Sequence, residues 1–296
     1  MSGYKYIFPA DLPEALRILA GEEYGVTVLG GGTDLLVRVR DGKERPGALL
    51  DLSSLNLDYI EEKEAGVVIG AMTSLTKVID HAVIRRRYPI LAEAAAEVGG
   101  FQTRNMGTIG GNICTGLPSA DMAIPLLVLE AKLNTVSLDG AEIIPVDRFF
   151  IAPRKIRLAP GALLKEIIVS SDRGNGARGS SFIKFGKRKA MRLCIISVGV
   201  NLLVDPATKV IDTIRIAMGT MSPIPLRLYK VEAFMTGKPL SDALLKEAVA
   251  IMETEISPRT SLRATCEFRT DLARVLLKRA VNLSAGRAME GGAASC

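Results

Sequence analysis

Residues 29–36 read LGGGTDLL. An apolar run, Val26–Leu29, enters three consecutive glycines, Gly30, Gly31 and Gly32. Thr33 and Asp34 follow, and Leu35 and Leu36 read as the start of a helix. The pattern is strand, tight loop, helix. Glycine permits positive φ and removes the Cβ that would keep a ligand away from the backbone. Successive backbone N–H groups can then form a concave anion site. A second stretch repeats the theme: Thr108, Ile109, Gly110, Gly111 and Asn112 read TIGGN. Each carries a small hydroxyl residue, Thr33 or Thr108. A Walker A loop is excluded, because no lysine follows either glycine group; a Rossmann fingerprint begun at Gly30 fails at Leu35, where its last glycine belongs. Taken alone, GGGT also fits a plain strand–helix turn. Two such loops in different α/β units fit one long ligand, with a diphosphate as the natural target, lying between two subdomains.

Working outward, YKYIF predicts a strand and DLPEALRILAG a helix, with Asp11 as N-cap, proline in the first turn, Glu14 three residues after the cap and Gly21 past the end. VTVL predicts a buried strand, DLLVRVRDG a short helix or turn, and ALLDLSSL a further strand. The first part is therefore a small βαβαβ unit. LDYIEEKEAGVVIGAMTS predicts a hairpin, and SLTKVIDHAVIRRRYPILAEAAAEVG a helical stretch broken at Pro89. GGFQTRNMGTIGGNICTGLPSADM predicts a long irregular segment, too long for an idle connection. A linker is expected at Ser170–Ser181. Strands (SFIKFG, CIISVGVNLLVD, KVIDTIRIAMG) and then helices follow, predicting a separate α+β domain, with a frayed tail after residue 285. The expected organisation is residues 1–175 (subdomains about 1–56 and 57–175), 180–285, and a flexible tail at 286–296.

Composition narrows the chemistry. The 296 residues are 48% hydrophobic, enough for filled cores. The cysteines Cys114, Cys194, Cys266 and Cys296 form no C-x-x-C pair, which argues against a zinc site or a cysteine-bound cluster in this chain. His81 is the single histidine; it reads as a helix residue near a C-terminus, and no histidine-rich metal site is possible. The charge excess is local: Arg178–Arg192 holds six basic residues and no acid. With aromatics at 5% and Trp absent, no nucleic-acid module is recognisable. No apolar run reaches membrane-spanning length, and the opening lacks a basic-then-apolar signal pattern. The expectation is a soluble cytoplasmic protein.

The combination of GGGTDLL with RNMGTIGGNICTGLPSADMAIPLLVLEA closely resembles the FAD-binding subunit of the molybdenum hydroxylases, the family of xanthine, carbon monoxide and nicotinate dehydrogenases. The resemblance extends to the opening Y-x-Y-x-x-P-x-x-L-x-E-A-L, to DLSSL and IGAMTSLTKV, and to SPIPLRLYKVEAFMTGKPL and SLRATCEFRTDLARVLLKRA near the C-terminus. It implies an α+β chain: a two-subdomain FAD-binding domain of the vanillyl-alcohol-oxidase (PCMH) type, then a smaller α+β domain. It implies that Leu29–Leu36 wraps the FAD diphosphate and that Thr108–Asn112 forms a second wall. Asp121 would lie near the adenosine half, and Leu163 and Lys184 match later FAD contacts. Lys187 and Lys189 offer the same charge as Lys184 a short distance away. Gly30 replaces the alanine common in the family. A cysteine-rich insertion for a four-iron cluster, known in one branch, is missing.

The resemblance further implies a role as one subunit of a complex. A large molybdopterin-binding partner would hydroxylate the substrate, and a small partner with two two-iron clusters would pass electrons to the flavin. The flavin would then reduce an external acceptor such as NAD, in a dimer of heterotrimers. The competing expectations are a free-standing FAD-dependent oxidoreductase of the same fold, which would need its own acid or base, and a basic binding module using Arg178–Arg192.

Overall fold

The structure is a computed structural model describing residues 4–21, 25–171, 176–188 and 190–293. Lys189 and Cys296 lie outside the described residues. The first lobe runs β1 (Lys5–Ile7), α1 (Leu12–Ala20), β2 (Val26–Leu29), α2 (Leu35–Arg40) and β3 (Ala48–Asp51). Its strands form a parallel sheet in the order β1-β3-β2. α1 starts as its sequence demands. The Asp11 carboxylate accepts from Glu14 N at 2.8 Å, and Glu14 Oε2 accepts from Ala10 N at 2.6 Å. Ala15 and Leu16 then pack with Leu50, Leu52, Leu55 and Leu57. The glycine loop leaves the C-terminal end of β2. In open parallel sheets this is the edge where ligands collect.

The second lobe contains β4 (Ile60–Lys63), β5 (Gly66–Gly70), α3 (Leu75–Asp80), α4 (Ala82–Arg87), α5 (Pro89–Ala96), α6 (Phe101–Met106), α7 (Ile109–Cys114), α8 (Ala123–Val128), β6 (Lys132–Ser137), β7 (Gly140–Pro145), β8 (Phe150–Ala152), β9 (Lys155–Ile156) and β10 (Leu163–Ser170). Its antiparallel sheet has the order β4-β5-β10-β6-β7, and β8 and β9 form a small hairpin. The helical stretch breaks at His81 as well as before Pro89: His81 closes α3 and opens α4.

The segment expected to be irregular holds two short helices, α6 and α7. Thr108 caps α7, accepting from Gly111 N at 3.0 Å. Ile109 and Ile113, one turn apart, are fully buried in the lobe's core. That cap and that apolar face outweigh the two glycines in the first turn.

The C-terminal domain comprises β11 (Ala177–Phe185), β12 (Ile196–Val204), β13 (Ile211–Gly219), β14 (Leu226–Arg227), α9 (Tyr229–Met235), α10 (Asp242–Glu253) and α11 (Cys266–Ala293). The strands pair antiparallel in sequence order. β12 is buried along its whole length because both faces are covered. Val198, Val200 and Leu202 join the core beneath α9–α11. On the other face a Cβ at Gly199 would lie 2.7 Å from Ile124 Cγ2 of α8. The tail expected from residue 286 is instead helical through Ala293. Ala285 and Ala288 are buried, and α11 passes so close to β11 that a Cβ at Gly179 would lie 1.8 Å from Ser284 O. A charged seam joins the domains: Arg227 pairs with Glu232 and with Glu130 of the second lobe, each at 2.8 Å. No described helix is long and apolar enough to cross a membrane.

Candidate functional site

A cleft of about 440 Å³ lies between the first and second lobes. Gly30–Leu35 form one wall. Gly107, Thr108, Gly110, Gly111 and Asn112 form the facing wall, with Ala71 and Met72 after β5, and Leu163 and Leu164 of β10, completing it. The two glycine stretches meet. A Cβ at Gly30 would lie 3.3 Å from Thr108 Oγ1, and one at Gly31 only 1.8 Å from Met106 O.

The two stretches have different tasks. Around Thr108 the backbone donors are already engaged. Ile109 N donates to Thr73 O at 2.9 Å, Gly110 N to Ala71 O at 3.0 Å, and Gly111 N to the Thr108 hydroxyl. In the first loop, Gly31, Gly32, Thr33, Asp34 and Leu35 donate no backbone hydrogen bond to any described residue. Gly32 holds φ at +70°, the left-handed conformation glycine supplies. The free donors that can meet an anion therefore belong to the first loop, and the second stretch buttresses it. Gly31 removes a side chain that would strike the backbone of Met106 and Gly107, rather than one that would strike a ligand.

The remaining residues picked out by sequence fall into three groups. Leu163 lines the cleft. Leu29 and Ile109 are buried beneath the two walls, and Leu36 is 39% exposed; none of these three lines the cleft. Asp121 and Lys184 sit behind the lining, both buried, with Lys184 Nζ 2.6 Å from Asp121 Oδ2 and 2.9 Å from Glu97 O. Lys184 comes from β11, so it ties the C-terminal domain to the second lobe. Burial outweighs the lysine's pull and lifts the Asp121 carboxyl to about 6. Asp121 Oδ1 is buried with no hydrogen-bond partner among the described residues. Asn112 connects this pair to the cleft, its Oδ1 accepting from Met122 N at 3.2 Å.

Lys187 is exposed, so Lys184 is the buried cation of the two. The basic run is not one surface, since Lys184 is buried and Arg192 pairs with Glu97 at 2.6 Å. Burial pushes the Cys114 thiol, at the cleft wall, up to about 12; it stays protonated at neutral pH and is no nucleophile. Arg38, Glu44 and Arg154 also line the cleft and escaped sequence reasoning. Their one sequence signal is Pro153-Arg154, an arginine where a tight turn usually takes glycine.

Residues 2–170 match the family described as the FAD binding domain in molybdopterin dehydrogenase, and residues 181–283 match the CO dehydrogenase flavoprotein C-terminal domain. The chain belongs to this family of FAD-binding subunits.

The flavin subunit is 30% identical over 275 residues to the xanthine dehydrogenase FAD-binding subunit of Escherichia coli O157:H7, covering 92% of this chain and 93% of the relative. It is 27% identical over 284 residues to the nicotinate dehydrogenase FAD-subunit of Eubacterium barkeri, covering 94% and 95%. Among solved structures, carbon monoxide dehydrogenase from Hydrogenophaga pseudoflava superposes with a TM-score of 0.90 at 29% identity, covering 96% of this chain and 98% of that one. The protein is thus a flavoprotein oxidoreductase subunit with a PCMH-type FAD domain and an α+β C-terminal domain, and its cofactor is FAD. The cleft fits that group: it offers a row of unengaged N–H donors for a diphosphate.

Proposed function

We propose that this chain holds FAD between its two lobes and relays electrons from iron–sulfur clusters of a small partner subunit to an external acceptor such as NAD. A large molybdopterin-binding partner oxidises the organic substrate, and the assembly is a cytoplasmic dimer of heterotrimers. The observation that carries the reading is the juxtaposition of the two glycine stretches, one with free N–H donors and one bracing it. FAD supplies the redox chemistry, accepting electrons singly or in pairs. The protein supplies position. The N–H groups of Gly31–Leu35 receive the diphosphate, Thr108–Asn112 hold that loop in place, and Leu29 and Leu36 support it from below and outside. Leu163 covers the cofactor. Asp121 and Lys184 would act from behind the lining, where their ion pair ties β11 to the segment carrying Asn112 and Met122. The chain divides at about residues 175–180 into flavin and C-terminal domains.

Purification from the native host under gentle conditions tests this reading, with a visible spectrum and identification of co-purifying chains by mass spectrometry. Bound FAD with a large molybdopterin chain and a small cysteine-rich chain is the expected result. Bound FAD on the chain alone would overturn the subunit reading in favour of a free-standing flavoenzyme.

A further inference from the structure

We infer that Arg154 is the cation that receives the diphosphate of the bound dinucleotide, and that Asp34 is where its guanidinium rests until that ligand arrives. This rests on the flavin reading of the cleft. Four charged side chains line the cleft: Asp34, Arg38, Glu44 and Arg154. Arg38 and Glu44 are paired with each other at the end of α2. Asp34 and Arg154 are the pair that spans the cleft, from the first loop to the β8–β9 turn. Their single contact, Arg154 NH1 to Asp34 Oδ2, is 3.3 Å long, and both side chains are about 40% exposed. Such a pair is weak, and readily exchanged for a better anion.

The backbone shows that the position is built for this side chain. Arg154 follows Pro153 in the hairpin turn and holds φ at +61°, a left-handed conformation that Gly or Asn usually occupies. The turn is fastened to α7, whose other end braces the first loop. Arg154 N donates to Gly116 O at 2.7 Å, and a Cβ at Gly116 would lie 3.1 Å from Arg154 Cα. A glycine would make this turn without strain; an arginine there places a cation at the cleft wall. Asp34 makes no side-chain cap to α2, so its carboxylate is held by Arg154 alone among the described residues. A diphosphate docked on the N–H groups of Gly31–Leu35 lies beside Asp34, with its negative charges facing that carboxylate. A guanidinium turned toward the phosphate oxygens while still beside Asp34 stands between the two negative groups, screens their repulsion and matches its planar fork to an oxyanion.

The test uses the full chain stripped of flavin and titrated with FAD and with riboflavin, which lacks phosphate, at several salt concentrations. Arg154→Gln and Arg154→Gly should each weaken FAD about 10–100-fold, the effect of losing one hydrogen-bonded charge. Both should flatten the salt dependence and leave riboflavin binding unchanged. Arg154→Gly also relieves the turn, so it guards against a folding defect. Asp34→Asn should tighten FAD, because it frees the guanidinium. A merely structural ion pair would move Asp34→Asn and Arg154→Gln in the same direction, and that result would overturn the inference. So would unchanged FAD affinity in both Arg154 variants, while leaving the flavin reading intact. Failure of the unmodified chain to bind FAD would instead remove the flavin reading, and this inference with it.

Discussion

Gly31→Ala isolates the contact on which the cleft depends. The added Cβ would lie 1.8 Å from Met106 O, 2.6 Å from Met106 C and 2.9 Å from Gly107 Cα. All three are backbone atoms, so no side chain can rotate away. Restoring even a 3.0 Å contact requires the first loop and the α6–α7 junction to part by about 1 Å. Forced displacement of a packed segment costs about 1–3 kcal/mol of stability. The same shift carries the loop's N–H groups off the diphosphate. Losing two hydrogen bonds to a charged group, at about 1.5–3 kcal/mol each, weakens FAD by about 10²–10⁴-fold. Gly30→Ala is the control. Its Cβ would meet Thr108 Oγ1 at 3.3 Å and Met72 Sδ at 3.6 Å, side-chain atoms that can yield, so FAD affinity should stay within a few-fold of wild type. The assay is FAD titration of each flavin-free variant by fluorescence quenching, with urea unfolding alongside. A Gly31→Ala protein that binds FAD as tightly as Gly30→Ala would refute the reasoning, because the loop would then not be positioned by the approach to Met106.

Thr108→Val removes the α7 cap and should cost about 1 kcal/mol in urea unfolding, with weaker FAD binding; Thr108→Ser should restore both. Arg227→Met leaves Glu232, which is 7% exposed, without its charge partner in the seam between domains. A loss of about 3–5 kcal/mol is expected, and a change under 1 kcal/mol would show that the seam carries no stability. Asp121 has a folded pKa raised from 3.8 to about 6, so its contribution is fully present below pH 4 and is lost as pH rises through 6. Relative to Asp121→Asn, the wild-type flavin-free chain should therefore lose stability over that window, at no more than about 1.4 kcal/mol per pH unit. Parallel pH profiles would contradict the assignment.

Local chemistry made much of the fold legible. The Asp11 cap, the proline in the first turn and Gly21 bounded α1, and alternating apolar runs with turn signals marked the strands of the first lobe and of the C-terminal sheet. The helices α6 and α7 were illegible because each has six residues, too few for a 3.6-residue period to emerge, and glycines mask the second. The site was legible as composition rather than as geometry. Both glycine stretches drew attention, but nothing local says that Gly31 faces Met106 or that Gly110 N is already engaged by Ala71. Those facts depend on the docking of two lobes. Asp121 and Lys184 came from the family resemblance; their pairing joins residues 63 apart in the chain. Arg154 carried a faint signal, proline followed by an arginine in a left-handed turn, which gains meaning only when the side chain is seen reaching Asp34.

The central claim is that FAD lies between the two glycine walls. The most direct measurement is the visible spectrum of the purified full chain, with the flavin released on denaturation identified and counted, for wild type and Gly31→Ala side by side. The account predicts one FAD per wild-type chain and little or none in a folded Gly31→Ala variant. A colourless wild type, a released flavin without the adenosine diphosphate half, or equal FAD in both proteins would contradict it.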